Sequence, residues 1–189
     1  MLRYYHTTNG SVIIMRLFIA IKFSSEIEKV LTDLQDDLKT QGITGNYTNI
    51  QNLHLTLAFI GEYDDPKRVM DALNQVLFDP FTISLDEQIG NFGDILWVGK
   101  KKNPALMSLD LRVRKALDSY HIPYDKKTFR PHITIVRKAK AYGKKEKYIL
   151  EKKIEKTSMT VEKFSLMESN RIDGKLLYTE IGCIEGGEE

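Results

Sequence analysis

Asn52-Leu53-His54-Leu55-Thr56-Leu57 and Pro131-His132-Ile133-Thr134-Ile135 repeat one pattern, His-apolar-Thr-apolar, 78 residues apart. Alternation with a period of two is that of a β-strand. It places His54 and Thr56 on one face, with Leu53, Leu55, Leu57 and Phe59 on the other. His132 and Thr134 stand in the same relation to Ile133 and Ile135. The apolar face needs helices over it, so an imidazole and a hydroxyl are left on the free face, twice. The chain holds only four histidines. His6-Thr7-Thr8 has the same bare spacing but lies in polar sequence without alternation, and His121, before Ile122-Pro123, reads as a surface or helix-end residue. Two unrelated strand histidines are the ordinary explanation of such a pair; duplication of the whole strand pattern weighs against it.

Outward from these strands, Leu17 to Phe23 is a short apolar run of strand length. Ser24 and Ser25 offer N-caps to a helix whose inward stripe is Ile27, Val30, Leu31, Leu34 and Leu38. Gly42 to Asn49 reads as a loop, Leu53 to Ile60 as a strand ended by Gly61. Asp65-Pro66 starts a helix with Val69, Leu73, Val76 and Leu77 inward, closed by Pro80. Phe81 to Leu85 and Ile95 to Val98 are strands around a turn at Asn91-Phe92-Gly93-Asp94. Asn103-Pro104 starts a third helix, with Leu106, Leu109, Val113, Leu117 and Tyr120 inward. His132 to Val136, Thr160 to Met167 and Leu176 to Ile181 are strands, the last two joined near Asp173-Gly174. Strands interspersed with three helices, without regular alternation or a dinucleotide glycine fingerprint, predict an α+β fold with antiparallel sheets.

At 189 residues, 42% hydrophobic and 29% charged, the chain suits one ordinary globular domain. Residues 1–14 read as an N-terminal extension, 15–183 as one domain and 184–189 as a polar tail. A single cysteine, Cys183, excludes an intrachain disulfide and a cysteine zinc cluster, which fits a cytoplasmic setting. The longest apolar stretch, Val12 to Ile21, is interrupted by Arg16 and is too short to cross a bilayer. The net charge of +2 hides an asymmetry: Lys126 to Lys156 holds twelve Lys or Arg against three Glu. A solvated lysine-rich segment explains that, and so does a footprint for nucleic-acid phosphates.

Imidazoles titrate at about pH 6.5, so at neutral pH one member of a facing pair can be neutral and the other protonated. Together they supply a general base and a general acid to one displacement. The two threonine hydroxyls are placed to donate to phosphoryl oxygens. No metal is required, and two histidines without suitably spaced Cys, Asp or Glu fall short of a usual ligand set. No Gly-x-Ser-x-Gly elbow exists for a serine nucleophile.

The paired motifs resemble the signature of the two-histidine phosphoesterase superfamily. Leu53 to Glu62 and Arg130 to Arg137 are similar to its RNA 2′,3′-cyclic phosphodiesterase branch, historically named 2′-5′ RNA ligase. Arg16-Leu17-Phe18-Ile19-Ala20-Ile21, Ile95-Leu96-Trp97-Val98-Gly99 and Leu177-Tyr178-Thr179 are similar to other strands of that branch, so the resemblance spans about residues 15 to 182. It implies a bilobal α+β fold, with two antiparallel sheets and outer helices around a central cleft. It implies hydrolysis of a terminal 2′,3′-cyclic phosphate to a 2′-phosphate without cofactor or metal, by a monomer acting on RNA 3′ ends or small cyclic nucleotides. His132 is then the base and His54 the acid, with the opposite assignment open. Thr56, Thr134 and Arg130 hold phosphate. Phe18 and Tyr178 either stack on a base or pack in the core, the role also expected of Trp97. Arg137 has the wrong strand parity and acts only from the strand's end. Ligation of 2′-5′ ends, hydrolysis of a small cyclic phosphate, and a non-catalytic module that binds RNA ends are the alternatives.

Overall fold

The computed structural model describes residues 13–100, 103–141, 149, 151 and 153–187. The first half of the chain forms β1 (Met15–Ile21), α1 (Ser25–Thr40), β2 (Thr44–Tyr47), β3 (Leu55–Tyr63) and α2 (Pro66–Leu73). β4 (Phe81–Phe92), β5 (Ile95–Lys100), α3 (Pro104–Ser119) and β6 (His132–Lys140) follow. β7 (Ser158–Val161), β8 (Lys163–Ile172) and β9 (Lys175–Glu185) end it. The strands make two sheets, ordered β3-β1-β8-β9 and β2-β6-β5-β4-β7, and every strand pair is antiparallel. The fold is therefore α+β with two antiparallel sheets, as the sequence implies. The proposed extension lies outside the described residues except for the exposed Ile13 and Ile14.

The helices begin where their caps predict. Asp65 accepts from Arg68 N–H and Asn103 from Leu106 N–H, each just before a first-turn proline. Ser24 occupies the cap of α1 without a side-chain cap bond. Ile27, Leu31, Leu34 and Leu38 of α1 and Leu106, Leu109, Val113 and Leu117 of α3 are buried. They belong to one continuous core that includes Leu17, Ile19 and Ile21 of the first sheet and Val98 and Ile133 of the second. α1 reaches β6, and α3 reaches β3 as well as β4 of its own sheet, so each of these helices touches the sheet of the other motif.

Several boundaries differ from the sequence expectation; Thr160 to Met167, read as one strand, is split between β7 of the second sheet and β8 of the first. Thr44–Tyr47, read as loop, is an edge strand paired to β6; Gly45 takes φ 150° there, and an added Cβ would lie 2.7 Å from Val136. β3 runs through Gly61 (φ 87°) to Tyr63. α2 stops at Leu73, so Val76 is buried from a turn and Leu77 is exposed. β4 is a single long strand to Phe92. The proposed polar tail is in part tied down: Glu185 ends β9, Gly186 N–H donates to Glu162 O, and Gly187 N–H to Phe78 O.

Two register shifts matter most. In the β1–β3 pair, Ile19 faces Ala58 and Ala20 faces Thr56, leaving Leu57 as an extra residue. In the β5–β6 pair, Leu96 faces Val136 and Trp97 faces Thr134, leaving Ile135 as the extra one. A β-bulge thus follows each motif threonine at the same position.

The chain's one tryptophan reports on this second sheet. Gly90 lies opposite Trp97, and a Cβ there would fall 2.2 Å from the indole. Gly90→Ala should cost about 1–3 kcal/mol by overpacking, read as a lowered urea midpoint with a changed Trp97 emission.

Candidate active site

His54 immediately precedes β3 and His132 opens β6. In both, Nδ1 lies 2.7 Å from the carbonyl oxygen two residues upstream, Asn52 O for His54 and Arg130 O for His132. A carbonyl can only accept, so each Nδ1 carries the proton and, in the neutral ring, each Nε2 is the free acceptor. His54 Nε2 is 2.9 Å from Thr56 Oγ1, whose hydroxyl donates to it. Thr56 pairs with Ala20, and Thr134 with Trp97 beside the His132–Gly99 pair, so each threonine shares its histidine's face. β3 and β6 approach each other directly, and His132 lies within electrostatic reach of His54.

The bulges correct two expectations. Past Leu57, Phe59 is turned away from the core face and packs with Phe18, Ala20, Met167 and Tyr178 on the face of Thr56. Past Ile135, Arg137 gains the parity of Thr134 rather than the opposite one. It is close enough to His54 for its charge to disfavour protonation of that imidazole, as is His132. Arg130, by contrast, precedes the strand, so strand parity does not aim it; the atom it brings to the motif is its carbonyl oxygen.

A pair of aromatic rings frames each imidazole. Phe18 and Tyr178 have ring centroids 5.0 and 5.2 Å from that of His54. Phe92 and Trp97 lie 5.5 and 6.2 Å from His132. Trp97 is therefore beside the motif rather than in the core. Phe18 is 3% exposed, so its ring packs His54 and has little surface left for a base.

The model of the family described as the 2'-5' RNA ligase superfamily matches residues 23–173, a span containing both histidine strands. The chain belongs to that superfamily. Among curated proteins similar to this member, the RNA 2',3'-cyclic phosphodiesterase of Thermotoga maritima is 29% identical over 164 residues, covering 82% of this chain and 87% of that one. The protein of the same name from Archaeoglobus fulgidus is 32% identical over 131 residues, covering 65% and 72%. The crystal structure of Escherichia coli LigT complexed with 3'-AMP aligns with a TM-score of 0.78 over 93% of this chain and 99% of that one, at 24% identity, a likeness of fold.

Within this superfamily member the two lobes are not equivalent. Burial against Phe18 and Tyr178 holds the His54 pKa below the usual imidazole value, with Arg137 and His132 adding to the effect against the opposing Asn52 hydrogen bond. One residue the alternation pattern did not single out supports that environment. Asn52 is 6% exposed; its side-chain amide donates to Leu176 O (2.9 Å) and accepts from Tyr178 N–H (3.2 Å). Its backbone clamps His54 while its side chain fixes the strand that carries Tyr178. The only sequence signal was a polar residue two before a strand histidine. The matching position in the other lobe is Arg130, outside any strand.

Two outcomes follow from this geometry. His54 prefers its neutral form in the fold, so falling pH protonates the unfolded chain first. Stability is then lost as pH drops from about 6.5 toward the lowered folded value, and is fully present above it. Urea midpoints of wild type and His54→Gln should diverge across that window, the variant giving the flatter profile. Asn52→Ala leaves Leu176 O and Tyr178 N–H unpaired, a cost of about 1–3 kcal/mol. In an NMR titration that variant should move the His54 pKa back up, as Tyr178 loosens and water reaches the ring.

Proposed function

We propose that this chain is an RNA 2′,3′-cyclic phosphodiesterase that opens a terminal cyclic phosphate to a 2′-phosphate. The observation that carries the reading is the duplicated clamp: two histidines, each with Nδ1 held on a carbonyl, on facing strands that each add a threonine. The curated relatives bear that enzyme's name, which supports the same substrate class here.

Water attacks phosphorus and the P–O3′ bond breaks. One histidine Nε2 takes the water's proton, the other delivers a proton to O3′, and the product carries a 2′-phosphate and a 3′-hydroxyl. The electrostatics of the site support His54 as the base, the reverse of the assignment the resemblance implies. Its pKa is lowered and its Nε2 is already an acceptor. His132 is then the acid. Thr56 turns its hydroxyl from His54 to a non-bridging oxygen, and Thr134 does the same from the other lobe. Arg137 balances the phosphate charge, with Arg130 as a second guanidinium. We also take the enzyme to act as a cytoplasmic monomer, in keeping with one free thiol, Cys183, and a site whose histidines both come from one chain.

The test is an oligoribonucleotide ending in 2′,3′-cyclic phosphate, incubated with excess chelator. Conversion to a 2′-phosphate is expected; binding without conversion, or a 3′-phosphate product, would overturn the reading. His54→Ala and His132→Ala should each lose about 10²–10⁴-fold in kcat. A substrate with sulfur in place of O3′ has a leaving group that departs without a proton. It should rescue His132→Ala and not His54→Ala; the converse rescue restores the other assignment.

A further inference from the structure

Phe92 ends β4 beside the hairpin turn at Gly93 (φ 59°) and is 40% exposed. Its ring stacks on Trp97, with centroids 4.8 Å apart and planes 26° from parallel, and meets His132 edge-on at 5.5 Å and 89°. The backing is firm. Trp97 lies over two glycines, and a Cβ on Gly90 or Gly99 would come within 2.2 or 3.1 Å of its ring. One face of Phe92 is thus held against a fixed indole while much of the ring meets solvent.

The other rings around the histidines are committed. Phe18 is buried, Tyr178 packs edgewise on both Phe18 and His54, and the Arg16 guanidinium sits 5.1 Å over Phe59. Among the described rings framing the two motifs, Phe92 is the exposed one. A cyclic phosphate gripped by His132 places its nucleobase one ribose away from the imidazole that Phe92 touches. An open aromatic face at that distance matches a base, because every base presents a π-face and stacks with little regard to sequence.

We propose that Phe92, backed by Trp97, is the stacking platform for the nucleobase of the terminal nucleotide. The proposal rests on the phosphodiesterase reading and adds its substrate requirement: a nucleoside rather than a bare cyclic phosphate, with purines favoured by their larger stacking area. The base lies away from the reacting bonds, so the contact is equal in ground and transition states and appears in KM rather than kcat.

The comparison uses 2′,3′-cyclic AMP and the 2′,3′-cyclic phosphate of 1-O-methylribose, which lacks a base. Phe92→Ala should raise KM for the nucleotide by about tenfold relative to KM for the base-free substrate; any change common to both substrates reports the lost edge contact with His132 and cancels in that ratio. Phe92→Tyr should behave as wild type. Equal effects on both substrates, or none on either, overturn the platform. An effect seen only with a dinucleotide substrate also overturns the terminal-base assignment, since it moves the contact to the preceding base. Absence of wild-type turnover on every substrate sinks the phosphodiesterase reading instead. Calorimetric binding of adenosine 2′-monophosphate then decides the platform alone: affinity about tenfold weaker in Phe92→Ala supports it, and unchanged affinity rejects it.

Discussion

The chemistry of the cleft depends on a hydrogen bond spanning only two residues, from each imidazole Nδ1 to the carbonyl before its strand. It fixes the tautomer and needs no carboxylate partner, and in the first motif it leaves Nε2 to meet Thr56. A carboxylate there would stabilise the protonated ring, whereas a neutral carbonyl orients the imidazole with a weaker pull on its proton. The environment beyond the clamp is then free to set the two rings apart. His54 is desolvated between Phe18 and Tyr178, while His132 meets a more open aromatic pair. One motif, used twice, thereby yields two different groups.

Alternation by two made the histidine strands legible in the sequence, and with them the sheet faces and the superfamily. The same rule failed one residue after each threonine. Bulges at Leu57 and Ile135 insert an extra apolar residue where Leu57-Ala58 and Ile135-Val136 offer two in succession, and such a pair reads equally well as an uninterrupted core face. Phe59 and Arg137 accordingly lie on the side opposite to the one that unbroken alternation predicts. β2 was hidden for another reason: its Thr-Gly-Asn-Tyr sequence has no apolar alternation, and it is a strand because β6 offers an edge to pair with. Asn52 escaped notice because its work is tertiary, bridging to residues more than a hundred positions away.

The second bulge also shows how the helices matter to the site. Its extra residue presents the Ile135 carbonyl, which accepts from Thr48 N–H at 2.9 Å and from the buried Gln35 amide at 3.3 Å. A buried carbonyl without partners would be costly. Thr48 N–H satisfies it, and Gln35, whose shorter bond is to Thr48 O at 2.8 Å, ties the bulge to the helix that follows β1.

The helices also tie the two motif strands to each other. The matched strands, clamps and bulges have the look of a doubled gene, yet α1 leans on β6 and α3 on β3. α3 also touches β4 of its own sheet, so one continuous core runs beneath both motifs and loosening either sheet strips cover from the other.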